Sequence, residues 1–301
     1  MFFILPILPS TTLPSFLFLR CTILATSGTT TLSNEGSISM PDCNHPEADT
    51  RIVLHVADAV RHGHTSVLVV SIDTDVTVLL LAYLGELMSA GLTELYVRIG
   101  KGATVQVIDL VKVRASIGEP YAHALLGFHA FTGCDWVSGI VGYGKKSALK
   151  QFLSADPTPF SALRHVTDPE DLDTTGIEAF VAAAYRRPGS TLVEARAAML
   201  REGISDIAYL PPGPDALRLH TLRAAYTASV LWGRATVPSN TDVSPVSWGW
   251  DRDAAPVWQS QDAAPLYKEL AAKCRCKVGD CTKCKCVSLG GCIAACRCKC
   301  V

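Results

Sequence analysis

Acidic side chains stand in this sequence in short pairs of the kind that hold divalent cations. Glu47 and Asp49 are separated by one residue, as are Asp73 and Asp75, and Asp135 follows a Gly-Cys pair. Hydrolysis of a phosphodiester by two metal ions needs several carboxylates that keep the ions roughly 3.5–4 Å apart. Mg²⁺ and Mn²⁺ suit oxygen ligands of this type. We therefore take these five residues as the candidate catalytic site, with Mg²⁺ or Mn²⁺ as the cofactor.

Each of these carboxylates also has an ordinary structural interpretation. Glu47 and Asp49 suit the start of a helix, where the helix dipole favours negative charge. Asp73 suits a helix cap, and Asp135 has the features of a loop aspartate. For any one residue alone the structural interpretation is the better one, so the metal-site hypothesis depends on the order of all five along the chain.

A glycine-rich segment after Asp135 offers a second candidate contact, this time for phosphate. The sequence GIVGYGKKSAL is similar to a helix-hairpin-helix, in which glycines allow a tight turn and a helix N-terminus favours phosphate. Two lysines add positive charge. The candidate DNA-binding residues are Gly139, Gly142, Gly144, Lys145 and Lys146. A plain glycine-rich turn between two helices is the alternative.

A run of cysteines near the C-terminus is the third candidate site. It contains Cys274, Cys276, Cys281, Cys284, Cys286, Cys292, Cys296, Cys298 and Cys300. Zinc prefers four thiolates at tetrahedral corners, delivered by short spacers. These sulfurs can serve three zinc ions if three of them bridge two ions each. Clustering at one end indicates thiolates on metal in a reducing compartment rather than a disulfide framework.

The histidines do not suggest a further metal site. His62 and His64 flank Gly63 in a short loop, where solvation is the simpler interpretation. His123 and His129 are six residues apart on a predicted helix, so they do not face one another.

The elements that must position these residues indicate an α/β domain followed by helices. In chain order we predict a helix over 52–60, a strand over 67–72, a helix over 76–87, strands over 95–99 and 104–113, and helices over 120–132 and 146–153. The run VLVVSI is typical of a strand buried on both faces. Because ligands converge at the C-terminal ends of strands in an open α/β sheet, we expect Asp73 and Asp75 to lie at such an end.

Composition bounds the possible functions. The chain has 301 residues, is 49% hydrophobic and carries a formal net charge of -1. This balance argues against a strongly basic nucleic-acid binder, so any phosphate-binding surface must be local. We predict an apolar leader and linker over 1–45, the α/β domain over 46–153, a helical extension over 154–237, a Trp- and Pro-rich tether over 238–272 and the zinc module over 273–301.

The apolar start of the chain leaves targeting open. Residues 1–25 lack the basic region of a signal peptide, and Pro6, Pro9 and Pro14 interrupt any membrane helix. We prefer a leader without a membrane role and expect a nuclear protein with no membrane partner. A signal peptide or an anchor is the alternative.

Taken together, the acidic pairs, Gly133-Cys134-Asp135 and the glycine-lysine segment resemble the flap-endonuclease/XPG-like nucleases, a branch of the PIN-like fold. The resemblance covers about residues 46–153. It implies a partly parallel sheet flanked by helices, divalent-metal ligation by the five carboxylates, and DNA as the partner. That family also has an earlier strand that ends in a metal-binding aspartate. Before Pro46 this chain offers only Glu35 and Asp42, so we expect a sheet that is incomplete at its N-terminal side.

The cysteine spacing is similar to half of a CXC domain, the tesmin-like cysteine-rich module, which binds zinc and, in several chromatin proteins, DNA. The order of nuclease-like domain, helical region and CXC-like tail looks like a group of mobile-element-derived animal proteins. Two functions stay open. One is a DNA-binding protein derived from a Mg²⁺- or Mn²⁺-dependent, structure-specific nuclease, whose catalytic competence is not decided by the sequence. The other is a non-catalytic zinc-binding module on an inactive nuclease-like scaffold, which contacts DNA or protein partners through the tail.

Overall fold

The computed structural model describes residues 43–257 except 141, 188, 203, 205–208, 239–242 and 254, and the backbone of residues 2–6, 24–27 and 30–33. Within them the fold is α/β, with a mixed three-strand sheet and helices, followed by a helical region. The strands are β1 (Phe2–Pro6), β2 (Leu24–Ser27), β3 (Thr30–Ser33), β4 (Ser66–Val70), β5 (Glu94–Ile99) and β6 (Gln106–Asp109).

The mixed three-strand part of the sheet consists of β4, β5 and β6. β4 pairs in parallel with β5, in a register that sets Ser66 opposite Glu94, and β5 pairs antiparallel with β6. Val67, Leu68 and Val69 in β4 are buried, as expected for a strand covered on both faces. The backbone of β1 pairs antiparallel with β4, and β2 and β3 follow it in the sheet order.

The described helices, in chain order, are α1 (Ala48–Arg61), α2 (Thr74–Ser89), α3 (Leu110–Ile117), α4 (Glu119–Thr132), α5 (Lys145–Phe152), α6 (Thr158–Ala162), α7 (Thr175–Ala184), α8 (Leu192–Arg201) and α9 (Pro214–Tyr226). A π-helical turn, Thr227–Leu231, follows α9, and short 3₁₀ turns occupy Gly102–Thr104 and Pro169–Asp171. α1 is buried from Thr50 to Val60, which fits a helix enclosed by the fold rather than one lying on its surface.

The strand predicted over 104–113 is wrong in its second half. β6 ends at Asp109, and α3 begins at Leu110. Asp109 accepts a hydrogen bond from the backbone N–H of Lys112 at 3.1 Å, which caps the first turn of α3. The apolar run therefore changes from strand to helix at a capping residue. The hydrophobic pattern alone does not mark this boundary.

Two compact units are present. The first contains the described residues up to Val137 together with Asp156–Asp168 and Ala224–Ser244. Its core includes Phe160, whose ring packs edge-on against Phe128 and Phe131 at centroid distances of 5.5 and 5.7 Å. The buried hydroxyl of Tyr83 donates a hydrogen bond to the carbonyl of Trp232 at 2.5 Å, so the chain around Trp232 is part of this unit.

The second unit contains Ser138–Ala155, Pro169–Arg223 and the described residues from Pro245 onward. The Gln151 side chain donates to the carbonyl of Phe180 at 2.8 Å, and Arg223 donates to the carbonyl of Gly249 at 2.9 Å. These bonds join segments distant along the chain within this unit. In the described part of the chain, no helix combines the length and apolar character needed to cross a bilayer.

Candidate metal centre

Two turns of the first unit bring the acidic pairs to one place. The first pair surrounds the start of α1, where Glu47 is the N-cap residue and Asp49 lies in the first turn. The second pair follows β4, where Asp73 is the N-cap of α2 and Asp75 lies in its first turn. The sequence therefore places one pair at the N-terminus of each helix, and the packing of α1 and α2 decides whether the pairs meet.

Three of the carboxylates do meet. Asp49, Asp73 and Asp75 each offer an oxygen, and these three oxygens all lie within 4.8 Å of one another. Asp73 is exposed, whereas Asp49 and Asp75 are partly buried. Three carboxylates at this spacing form a possible metal site, because one hard divalent cation can bridge oxygens that otherwise repel each other.

Asp73 has a structural role as well as a place in this cluster. Its Oδ1 accepts a hydrogen bond from the backbone N–H of Asp75 at 3.0 Å, and its own N–H donates to Ser71 Oγ at 3.0 Å. The capping interpretation and the metal interpretation are therefore compatible for this residue, since a carboxylate has two oxygens.

Glu47 is held by a residue far along the chain. Trp232 Nε1 donates a hydrogen bond to Glu47 Oε2 at 2.8 Å, and the Trp232 side chain is almost fully buried. Burial raises the pKa of Glu47 to about 7, the Trp232 hydrogen bond opposes that rise, and the negative charges of Asp49, Asp75 and Asp135 add to it. Burial therefore moves the titration of this carboxyl toward neutral pH.

Asp75 is held in the same way by a histidine. His129 Nε2 lies 2.8 Å from Asp75 Oδ1, with 6% and 16% of the two side chains exposed. An ionised carboxylate only accepts hydrogen bonds, so the imidazole donates here. The His129 ring also stacks on Trp232 at a centroid distance of 5.9 Å and an interplanar angle of 30°.

The electrostatics of the cluster are those of crowded like charges. Burial, followed by the charges of Asp73, Asp75 and Asp135, raises the pKa of Asp49 to about 6. Two carboxyls with raised pKa values in one place mean that the metal-free site favours protons at mildly acidic pH. A divalent cation would relieve the same repulsion, so cations and protons compete for this site.

The loop after α4 contributes Asp135 and the half-buried thiol of Cys134. Asp135 is exposed, and its charge acts on both Glu47 and Asp49. Burial raises the pKa of the neighbouring Cys134 to about 11, with hydrogen bonds to the backbone of Trp136 and Val137 opposing the rise and the charges of Asp75 and Glu47 adding to it. Cys134 is therefore a neutral thiol at pH 7, which leaves oxygen as the ligand type at this place.

The candidate phosphate-binding residues belong to the second unit. Gly139 and Gly142 are exposed in the loop before α5, and Gly142 has a φ of +76°, a conformation that favours glycine. Gly144 is the N-cap of α5 and provides no side-chain cap. Lys145 and Lys146 occupy the first turn of α5 and are exposed. The nine cysteines of the tail lie outside the described residues.

Sequence reasoning missed His129 and Trp232 as parts of this site. The spacing of His129 from His123 gives no shared helix face, and Trp232 lies within the helical extension that the sequence predicts over 154–237. No local pattern marks either residue, because Trp232 is 185 positions from Glu47 and His129 is 54 positions from Asp75. Only a long-range pairing signal could have found them.

Comparison with known proteins does not assign this chain to a family. No protein-family model, curated protein or solved structure gave a significant match to this chain. What the chain shows is an α/β domain with a mixed three-strand sheet and an acidic triad, without assignment to a family.

Proposed function

We propose that this chain is a DNA-binding protein derived from a Mg²⁺- or Mn²⁺-dependent, structure-specific nuclease, with the acidic cluster of the first unit as its metal centre. The observation that carries the proposal is the meeting of Asp49, Asp73 and Asp75, whose ligand oxygens lie within 4.8 Å of one another. Phosphodiester cleavage by bound metal requires such a carboxylate set.

The donor atoms fit a hard cation better than a soft one. The three side chains offer oxygen alone, and the nearby Cys134 thiol is protonated because its pKa is raised to about 11. Oxygen donors suit Mg²⁺ and Mn²⁺, whereas thiolates and imidazoles select zinc. A bound ion would supply Lewis-acid stabilisation of a phosphoryl oxygen and a more acidic water.

The negative charges of the cluster also indicate that DNA can approach this site only when a cation is bound there. Two like charges 4 Å apart repel by about 1 kcal/mol in bulk water and about 4 kcal/mol near a protein surface. Several carboxylates facing a phosphate would therefore oppose binding by several kcal/mol. We expect DNA affinity at this face to depend on the divalent ion, in addition to the usual dependence on salt.

Glu47 is suited both to bind the ion when it is ionised and to hold a proton when no ion is bound. Its pKa of about 7 lies near neutral pH, which is where a proton donor or acceptor works best. Because Trp232 Nε1–H already donates to Oε2, a proton on this carboxyl would sit on Oε1.

The start of α5 in the second unit supports a separate contact with the DNA backbone. Its first N–H groups have no side-chain cap, because Gly144 is the N-cap residue, and Lys145 and Lys146 stand exposed in the first turn. Helix N-termini and lysines are both favourable to phosphate.

The test of this proposal is cleavage and binding of flapped and duplex DNA by the purified chain in Mn²⁺ and in EDTA. The variant is Asp73→Asn/Asp75→Asn, since asparagine caps a helix as well as aspartate does and keeps α2 intact. The matched control is Asp171→Asn/Asp253→Asn, which removes two exposed carboxylates. We expect the wild type and the control to bind Mn²⁺ and to cleave, and the Asp73→Asn/Asp75→Asn variant to lose both. Cleavage that is equal in all three proteins would refute the nuclease hypothesis.

The same experiment separates the catalytic from the non-catalytic alternative. Mn²⁺ binding with Mn²⁺-dependent DNA binding and no cleavage would indicate a scaffold that has lost its chemistry. We also propose that the cysteine tail binds zinc and provides a second DNA or protein contact. Zinc content measured on the same sample tests that part, and a value near zero per chain would remove it.

A further inference from the structure

We propose that Trp232 and His129 are positioning residues that orient Glu47 and Asp75 for a divalent ion. The metal centre is then complete only when the chain around Trp232 is docked in the first unit. This inference rests on the proposed function, because it assigns these two residues a role in holding the metal site.

The geometry gives each residue one carboxylate. Trp232 Nε1 donates to Glu47 Oε2 and His129 Nε2 donates to Asp75 Oδ1, both at 2.8 Å. Both donors are planar rings that are almost fully buried. Rings fixed by packing have little freedom to follow a moving carboxylate, so they set its direction.

The two rings also hold one another. They stack at a centroid distance of 5.9 Å, so displacement of either would disturb the other. The Tyr83 hydroxyl donates to the carbonyl of Trp232 at 2.5 Å and accepts from the N–H of Ala235 at 3.3 Å, which fixes the backbone at Trp232 and directly after it. The rings therefore act as one support, attached to α2 through Tyr83 and to α4 through His129.

Such support affects how well a site binds metal. Hydrogen bonds to ligating carboxylates orient them, and removal of these partners typically costs 10- to 100-fold in metal affinity or activity. Linkage makes the effect reciprocal, since a cation that favours the oriented carboxylates also favours the docked Trp232 segment.

The first test is Mn²⁺ titration of the full chain by calorimetry at pH 8. Trp232→Phe keeps an aromatic ring but removes the N–H donor, and His129→Leu removes the second donor, whereas His129→Gln retains one. We expect the dissociation constant for Mn²⁺ to rise about 10- to 100-fold in Trp232→Phe and His129→Leu, with partial rescue in His129→Gln. Trp248→Phe, a substitution of another buried tryptophan, is the control and should bind as the wild type does.

The second test needs no variant. Hydrogen exchange of the amides in the turn Thr227–Leu231 and at Trp232 is followed in the wild type with and without Mn²⁺. At a Mn²⁺ concentration of about 100 times the dissociation constant, linkage limits the slowing of exchange to about 100-fold. We expect the exchange of these amides to slow measurably, up to that limit.

The outcomes separate this inference from the proposed function. A wild-type chain that binds no Mn²⁺ would overturn both. A wild-type chain that binds Mn²⁺, with equal affinity in Trp232→Phe and unchanged exchange at 227–232, would overturn the positioning role alone.

Discussion

Replacement of Asp49 by asparagine should stabilise the metal-free protein and abolish its stabilisation by metal. The carboxyl is partly buried among like charges, and its pKa is raised from 3.8 to about 6. A raised pKa means that the charged form is disfavoured in the folded state. Its stabilising contribution is therefore present below pH 4 and is lost as the pH rises through about 6.

The size of the effect follows from the shift. One pKa unit corresponds to about 1.4 kcal/mol, so a shift of about two units corresponds to a loss of about 3 kcal/mol of unfolding free energy at pH 8. Asparagine removes the charge but still has a polar amide to bury, which costs about 1 kcal/mol. We expect a net gain of about 2 kcal/mol, or roughly 4–8 °C in melting temperature for a chain of this size.

The assay is thermal unfolding at pH 8 in EDTA and in saturating Mn²⁺. The wild type should gain about 2.7 kcal/mol when Mn²⁺ is at 100 times its dissociation constant, whereas Asp49→Asn should melt higher in EDTA and gain little from Mn²⁺. Asp171→Asn, at an exposed position, should match the wild type in both conditions. An Asp49→Asn protein that melts lower than the wild type in EDTA and keeps the full Mn²⁺ shift would refute the reasoning.

Three further predictions concern packing, pH and DNA contact. In Gly127→Ala, the new Cβ would lie 2.1 Å from the Phe160 carbonyl oxygen. This clash should outweigh the ~1 kcal/mol gain in helix propensity, so the free energy of unfolding measured in urea should fall by about 2 kcal/mol. Gly144→Ala, with open space around it, should change that free energy by less than about 1 kcal/mol. Equal losses in the two variants would contradict this. Burial, then nearby positive charge, lowers the pKa of His55 from 6.5 to about 4. Because the unfolded chain protonates this histidine at a higher pH than the folded chain does, the free energy of unfolding should fall by up to about 3 kcal/mol between pH 6.5 and 4. In His55→Gln, the free energy of unfolding from urea titrations should depend less on pH across that range. Trp136, which is 43% exposed next to Asp135, should stack on an unpaired base. Trp136→Ala should therefore weaken binding of single-stranded DNA about 10-fold, measured by fluorescence anisotropy, and should not weaken binding of an oligonucleotide of abasic sites. Met88→Ala, at the end of α2 away from the acidic cluster, is the control, and weaker binding of both oligonucleotides by Trp136→Ala would exclude stacking.

Much of the local structure could be predicted from the sequence because short-range rules decide it. The buried run before Asp73 is β4, as its β-branched residues indicate, and a helix follows at the capping aspartate. The candidate ligands could be identified from the sequence because metal ligation requires carboxylates at close spacing. In the structure, three of the five proposed ligands meet. The strand over 104–113 failed at its second half because the capping of α3 by Asp109 overrides the apolar pattern there.

Tertiary structure alone decided how the carboxylates are held. Residue spacing cannot show that an indole 185 positions from Glu47 donates to it, or that the His129 ring both contacts Asp75 and stacks on that indole. The raised pKa values of Glu47 and Asp49 are likewise properties of burial and of charges from other elements. The sequence by itself determined which groups are available for metal chemistry, because residue type fixes the donor atoms. The packing of α1, α2, α4 and the chain around Trp232 determined whether those atoms share one place, because that depends on contacts between residues far apart along the chain.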